Sequence, residues 1–199
     1  MKKQDHEKND LPPNQIPIPS ILRWGIDHPG ISRSLPKVAK EDWRLIIDGE
    51  VDNSLTFSLN DFLKLPQIES ESDFHCVEGW SVMKQKWGGV RFLEIVNLAN
   101  PKKTVEYVLF TCYDDYTTSL PLSVLMGGDI LLANKLNGEE LSQPLGGPVR
   151  LIVPQKYAYK SAMWVSRITF LIRDRLGYWE RGGYSNTADP WKNDRYKFI

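Results

Sequence analysis

Apolar positions along this chain fall mostly into short runs of period two, broken by glycine, proline, asparagine and aspartate, and few segments carry helical spacing. Trp43 to Val51 predicts a strand closing in a turn at Asp48-Gly49, and Leu55-Thr56-Phe57 a second short strand. Ser58 to Leu65 predicts a short helix, with Ser58 as N-cap, Asp61 as its capping-box partner and Pro66 as its stop. Ile68 to Phe74 predicts a strand that delivers the chain to Cys76. Gly89 to Leu98 carries helical spacing at Val90, Leu93, Val96 and Leu98 and ends before Pro101. Val105 to Cys112 is apolar, β-branched and aromatic, hence a buried strand with Cys112 in the core, and Asp114-Asp115 turns the chain. Leu122 to Met126 gives a short helical piece halted by Gly127-Gly128. Ile130 to Leu136 with Asn137-Gly138 gives a strand and hairpin, and Pro148 to Pro154 and Trp164 to Ile172 give two further strands. The sum is an α+β, mostly β, single domain.

The ends differ from the body. Residues 1–15 are polar and without period, so they are expected to form a flexible tail, with the domain running over 16–199. Ile16-Pro17-Ile18-Pro19 is stiff and extended. Gly177 to Ile199 lacks either period but is too aromatic to be disordered, so it is expected to wrap the body. The pairs Gly88-Gly89, Gly127-Gly128 and Gly146-Gly147 are expected at turns needing positive φ.

Charge narrows the function classes. With 25 basic and 25 acidic residues, no global field draws the chain to nucleic acid or anionic lipid. Trp179, Arg181, Tyr184, Trp191, Lys192 and Arg195 interleave bases and aromatics as a single-strand binder would, but zero net charge argues against it. Two cysteines make no disulfide framework and indicate a reducing compartment. No apolar run approaches membrane-spanning length, and the N-terminus carries no secretory pattern. The expectation is a cytoplasmic monomer with no membrane or nucleic-acid partner.

Chemistry concentrates in Phe74-His75-Cys76-Val77-Glu78-Gly79-Trp80-Ser81, where a thiol, an imidazole, a carboxylate and an indole share one glycine-bent stretch. A thiolate is a soft metal ligand and a nucleophile, and His75 with exposed loop amides would lower its pKa; the alternative is a small buried hydrophobe. A Cys76-His75 hydrolase lacks an orienting acid. The three histidines with two cysteines show no zinc spacing, and no Walker loop or dinucleotide fingerprint is present. Arg150 lies in the apolar strand Val149 to Val153, where an unpaired charge is expensive, so its guanidinium wants a phosphate or carboxylate unless it sits on a wet face. Arg23 beside Trp24 is either an anion contact or an exposed arginine packing its stem. Lys156 and Lys160 read as surface lysines.

His75-Cys76-Val77-Glu78-Gly79-Trp80-Ser81 followed by Trp87-Gly88-Gly89-Val90 resembles the centre of the sulfite-oxidase-like molybdopterin oxidoreductase family, and the resemblance runs from about Leu11 to the C-terminus. It implies the sulfite-oxidase-type fold without the haem and dimerisation domains of larger relatives. It also implies molybdenum-molybdopterin, or its tungsten counterpart, with Cys76 as the protein's ligand to the metal. Oxygen-atom transfer would then be coupled to two-electron redox on a small substrate, with electrons exchanged with a separate partner protein. Tyr116 matches a tyrosine that stands beside the metal-oxo group in sulfite oxidases. Arg150, Ser161, Ala162 and Met163, with Arg23 and His75, match or flank cofactor contacts. Two departures stand out: Leu145 replaces a His or Asn of many relatives, and Met163 replaces a Lys. They leave open a cofactor-binding module of the same fold with weakened or no catalysis. Val77-Glu78-Gly79-Trp80 resembles the catalytic subunit of periplasmic methionine sulfoxide reductases more than the arginine-bearing segment of sulfite oxidases.

Overall fold

A computed structural model describes residues 11–29 and 35–197. In chain order the strands are β1 (Ile16–Pro17), β2 (Arg44–Gly49), β3 (Leu55–Ser58), β4 (Gln67–His75), β5 (Trp80–Arg91), β6 (Tyr107–Cys112), β7 (Thr117–Pro121), β8 (Leu131–Leu136), β9 (Glu139–Glu140), β10 (Arg150–Ile152) and β11 (Val165–Leu171). The helices are α1 (Leu59–Lys64), α2 (Phe92–Ala99), α3 (Leu122–Leu125) and α4 (Tyr178–Arg181). A six-stranded sheet runs β1-β5-β8-β10, with β4 also on β5 and β9 on β8. A five-stranded sheet runs β3-β2-β11-β6-β7, parallel only between β2 and β11.

Local chemistry accounts for most of these elements. The Ser58 hydroxyl caps α1 by accepting from the Asp61 amide at 3.2 Å. Phe92, Ile95, Val96 and Ala99 bury one stripe of α2 into the main core, and Asn100, left-handed at φ 49°, ends it. That core takes Leu45, Ile47, Phe110 and Phe170 from the five-stranded sheet and Val90, Leu132 and Leu151 from the other. The six-stranded sheet buries its second face too, through Phe74, Trp87, Leu131, Ala133 and Ile152. Burial on both faces is why residues 130–133 and 151–153, in and beside β8 and β10, read as unbroken apolar runs.

Three expectations need correction. The helix expected from Gly89 starts at Phe92, because β5 continues to Arg91 and Val90 pairs with Leu132. Of the three glycine pairs only Gly146 has positive φ. Gly89 instead lies in a strand where a Cβ would stand 2.2 Å from the Leu132 carbonyl oxygen, so its role is close approach of two backbones. Residues 1–10 of the expected tail lie outside the described residues, but Gln15 is buried and donates to the Cys76 carbonyl at 3.0 Å. The C-terminal stretch packs on the body as expected, adding α4 and a single 3₁₀ turn at Pro190–Lys192. No helix among the described residues is long and apolar enough to cross a membrane.

Candidate functional site

β4 ends at His75 and β5 begins at Trp80, and the four residues between them form a tight loop. The Cys76 amide donates to the Trp80 carbonyl at 2.8 Å and the Gly79 amide to the Cys76 carbonyl at 3.1 Å. Gly79 has φ +104°, and a Cβ there would meet the Asn14 carbonyl oxygen at 3.2 Å, so only glycine makes this bend without strain. Both chain ends pin the loop. Gln15 holds the Cys76 carbonyl, and Arg195 donates to the carbonyls of Val77 and, at 3.1 Å, Asn14.

A cavity of about 190 Å³, open to solvent on one side, lies against Cys76. Trp80, Phe74 and Glu78 come from the loop and its flanking strands, Arg150 from β10, and Ser161, Ala162 and Met163 from the turn before β11. Asp114 and Tyr116 come from the β6–β7 turn, Trp24 and His28 from the N-terminal segment, and Trp179 and Tyr184 from the C-terminal stretch. The walls are therefore chiefly apolar, with many aromatic side chains. His28 stacks on Trp24 with ring centroids 4.2 Å apart, and its Nε2 lies 2.8 Å from a Glu78 oxygen, which ties the N-terminal turn to the cysteine loop.

Two groups make this cavity chemically unusual. Burial pushes the Cys76 thiol up to about 12, opposed by the Glu78 amide and by the positive charge of Arg195. The lowering expected from His75 does not occur, since His75 bonds Ser81 through Nδ1 at 2.8 Å, packs edge-on against Trp191 and does not line the cavity. Arg150 is 2% exposed. Its Nη atoms donate to the carbonyls of Leu145, at 2.8 Å, and Ser161, at 3.2 Å, and its guanidinium carbon lies 5.2 Å from the Phe74 ring centre and 5.5 Å from that of Trp87. Among the described residues it pairs with no carboxylate, its buried Nε has no acceptor, and burial lowers its pKa to about 9. A buried cation without an anion is costly.

These features fit a bound molybdopterin. An anionic group would supply the counter-charge that Arg150 lacks, and a soft metal would stabilise a thiolate that the cavity by itself disfavours. The amides of Ala162 and Met163 donate to no group among the described residues, and Ser161 accepts from the Val153 amide at 3.0 Å while its hydroxyl hydrogen remains available.

Cys76, Tyr116, Arg150, Ser161, Ala162 and Met163 thus come together on one cavity; Arg23 and His75 do not. Arg23, with a side chain 51% exposed, bonds Asp27 at 2.8 Å. Tyr116 is buried and donates its hydroxyl to the Tyr159 carbonyl at 2.5 Å. Lys160, expected at the surface, is fully buried, pairs with Glu180 and donates to the Ser119 carbonyl at 2.9 Å. It serves structure, not the cavity, by fastening α4 to the turn before β11. Sequence reasoning missed Asp114, Trp24, His28, Trp179 and Tyr184 as wall residues, since each reaches the cavity from a segment distant from Cys76 or reads locally as a turn.

Comparison with known proteins agrees with this geometry. The family model for the oxidoreductase molybdopterin binding domain matches residues 32–179. The chain is 36% identical over 194 residues to the uncharacterized oxidoreductase YuiH of Bacillus subtilis (strain 168), covering 98% of this chain and 96% of that protein. It is 31% identical over 157 residues to the protein-methionine-sulfoxide reductase catalytic subunit MsrP of Campylobacter jejuni, covering 70% of this chain and 52% of that one, so it spans about half the length of that relative. The crystal structure of the sulfane dehydrogenase SoxCD from Paracoccus pantotrophus superposes with a TM-score of 0.68 at 23% identity, covering 76% of this chain and 43% of that chain, a likeness of fold. With the match extending over most of the sequence, and a cavity that joins a thiol to an anion-seeking arginine, the chain belongs to the sulfite-oxidase-like family of molybdopterin-binding oxidoreductases.

Proposed function

We propose that this protein is a molybdenum-molybdopterin enzyme that moves one oxygen atom to or from the sulfur of a small neutral molecule, with Cys76 holding the metal and a separate protein exchanging the electrons. The observation that carries the reading is that the Cys76 thiol and the carboxylate-free Arg150 guanidinium open on one cavity. Arg150, Ser161 and the amides of Ala162 and Met163 would hold the pterin's anionic end, and the Cys76 sulfur its metal. When bound, the cofactor supplies a centre that exchanges an oxygen atom and two electrons with substrate.

The remaining residues shape what reaches that centre. Trp24, Trp80, Trp179 and Tyr184 exclude water and favour an apolar substituent on the substrate. Glu78 and Asp114 put carboxyl groups in the wall, and with Arg150 given to the cofactor's anionic end no other arginine or lysine lines the cavity to meet an anion such as sulfite. Neutral sulfoxides or thioethers suit such a wall. Likeness to a methionine-sulfoxide reductase supports the sulfur chemistry, and that relative's description as a catalytic subunit supports a separate redox partner. Both cysteines are free thiols, in keeping with the cytoplasm.

A carrier without catalysis is the second reading, favoured by Leu145 and Met163, which put apolar side chains at positions flanking Arg150 and Ser161. The two part on a visible sulfur-to-molybdenum absorption band. The enzyme reading expects protein from a cofactor-making host to show a band that bleaches or recovers with sulfoxides or thioethers and not with sulfite, and expects Cys76→Ser to abolish it. A band unmoved by every substrate in that screen would establish the carrier; a colourless parent protein would overturn both.

A further inference from the structure

Reducing a sulfoxide takes two electrons and two protons and yields a thioether and water. The redox partner provides the electrons, but protons must cross the cavity wall, and the wall offers few groups able to pass them. The hydroxyls of Tyr116 and Tyr159 already donate to backbone carbonyls, those of Tyr159 and Ser185, at 2.5 and 2.6 Å. Arg150 gives its Nη donors to carbonyls, and Cys76 is reserved for the metal. Glu78, with a side chain 48% exposed, and His28 are bonded to each other, Tyr184 shares a hydrogen bond with Tyr196, and the Ser161 hydroxyl is given to the cofactor.

Asp114 is the lining carboxyl that pairs with no side chain among the described residues. It lines the cavity from the β6–β7 turn, which Asp115 makes at φ +64°. One of its oxygens accepts from the Tyr116 amide at 3.2 Å, and the other accepts from no side chain among the described residues. The turn therefore fixes the carboxyl beside Tyr116 through backbone amides and leaves it without a side-chain partner.

We propose that Asp114 is the proton-transfer residue of this cavity. As the sulfur–oxygen bond breaks, the oxygen takes two electrons from the redox partner's supply and two protons delivered in turn by Asp114, which reloads from solvent after each; water and the thioether leave. Burial raises the pKa of this carboxyl, the neighbouring charge of Asp115 adds to the rise, and the Tyr116 and Asp114 amides oppose it. The other ionisable groups around it are the Cys112 thiol on β6, Tyr116 in the same turn, and His28, Cys76, Glu78, Arg150, Tyr159 and Tyr184 in the cavity wall. A raised carboxyl pKa lets an aspartate keep a proton to give at higher pH than an ordinary one does.

The inference rests on the enzyme reading above, and two variants separate it from that reading. With dimethyl sulfoxide as the probe, Asp114→Asn should keep the parent's molybdenum content and absorption band while kcat falls about a hundredfold, KM staying within about twofold. The parent's kcat should fall as pH rises through the carboxyl's pKa; Asp114→Asn should lose that limb, and Asp114→Glu should restore part of the rate with the limb displaced. Independently of cofactor, the infrared difference between parent and Asp114→Asn in the cofactor-free protein should show a protonated carboxyl persisting above the ordinary aspartate range. Parent-like turnover and pH profile in Asp114→Asn overturns the inference alone, as does an infrared titration in the ordinary range. Should Asp114→Asn fail to fold, Asp114→Glu with an unmoved limb overturns it. A parent inert toward all sulfoxides overturns this inference, and one inert toward thioethers as well overturns the enzyme reading with it.

Discussion

Pro148 to Pro154 alternates between two cores, Val149, Leu151 and Val153 facing one and Ile152 the other, and Arg150 takes a position where that alternation calls for another aliphatic. The site was legible at this residue because a lone charge in an apolar strand demands a partner. Cys76 and Ser161 were legible for a related reason, as each sits in a short local motif. Lys160 was not, because its partner Glu180 lies on a later element and no local pattern marks a buried lysine. Asp114 was read as a turn former, which it is, and the cavity beside that turn exists only in three dimensions. Arg150→Met follows directly from the geometry. The cofactor-free variant should stay within about 2 kcal/mol of the parent, since relief of a buried charge offsets two carbonyls that lose donors. Cofactor retention should weaken by about 1.5–3 kcal/mol, roughly ten- to a hundredfold, read as molybdenum content after dialysis.

Elements explain where the alternating pattern misled. The helical spacing from Val90 onward belongs partly to β5, since Val90 faces the same core that α2 fills and its periodicity merges with the helix stripe. Gly88-Gly89 looked like punctuation but sits within β5 opposite β8, where the close approach of the Leu132 carbonyl excludes a side chain at Gly89. The C-terminal stretch has no period because its order comes from tertiary contacts. The Lys160–Glu180 pair, both side chains fully buried, and the Thr118 hydroxyl donating to Glu180 at 2.6 Å fasten α4 to β7. Glu180→Ala leaves Lys160 charged and unpaired, so it should cost about 3–5 kcal/mol by chemical denaturation. It should also open the 177–197 stretch to protease before the rest of the domain. Equal stability and equal protease resistance would show that the pair fastens nothing.

For the whole molecule, fold class was readable from strand count and turn spacing, whereas the route by which both termini reach one loop was not. Residues 14 and 15 and Arg195 hold the Cys76 loop from opposite ends of the chain. These anchors lie outside residues 32–179, the part matched by the family model, so the site draws on segments beyond that match. Stability should carry the signature of the cavity acid. Burial raises the Asp114 pKa in the folded protein, so the native state binds that proton more tightly than the unfolded chain does. Native stability therefore falls as pH rises from the ordinary aspartate value, 3.8, through the raised one. Asp114→Asn removes that loss. Its stability relative to the parent should grow across the same window and level off above it, as followed by urea denaturation of the cofactor-free proteins at a series of pH values. A difference that is flat with pH would mean the carboxyl titrates normally.

The central claim is a bond between the Cys76 sulfur and a metal that an organic chelate brings to the cavity. X-ray absorption at the molybdenum edge, on parent and Cys76→Ser proteins purified from a host able to make the cofactor, tests it most directly. The account predicts that the metal in the variant has one sulfur neighbour fewer than in the parent. An identical sulfur shell in the two proteins, or a parent protein that carries no molybdenum or tungsten, would contradict it.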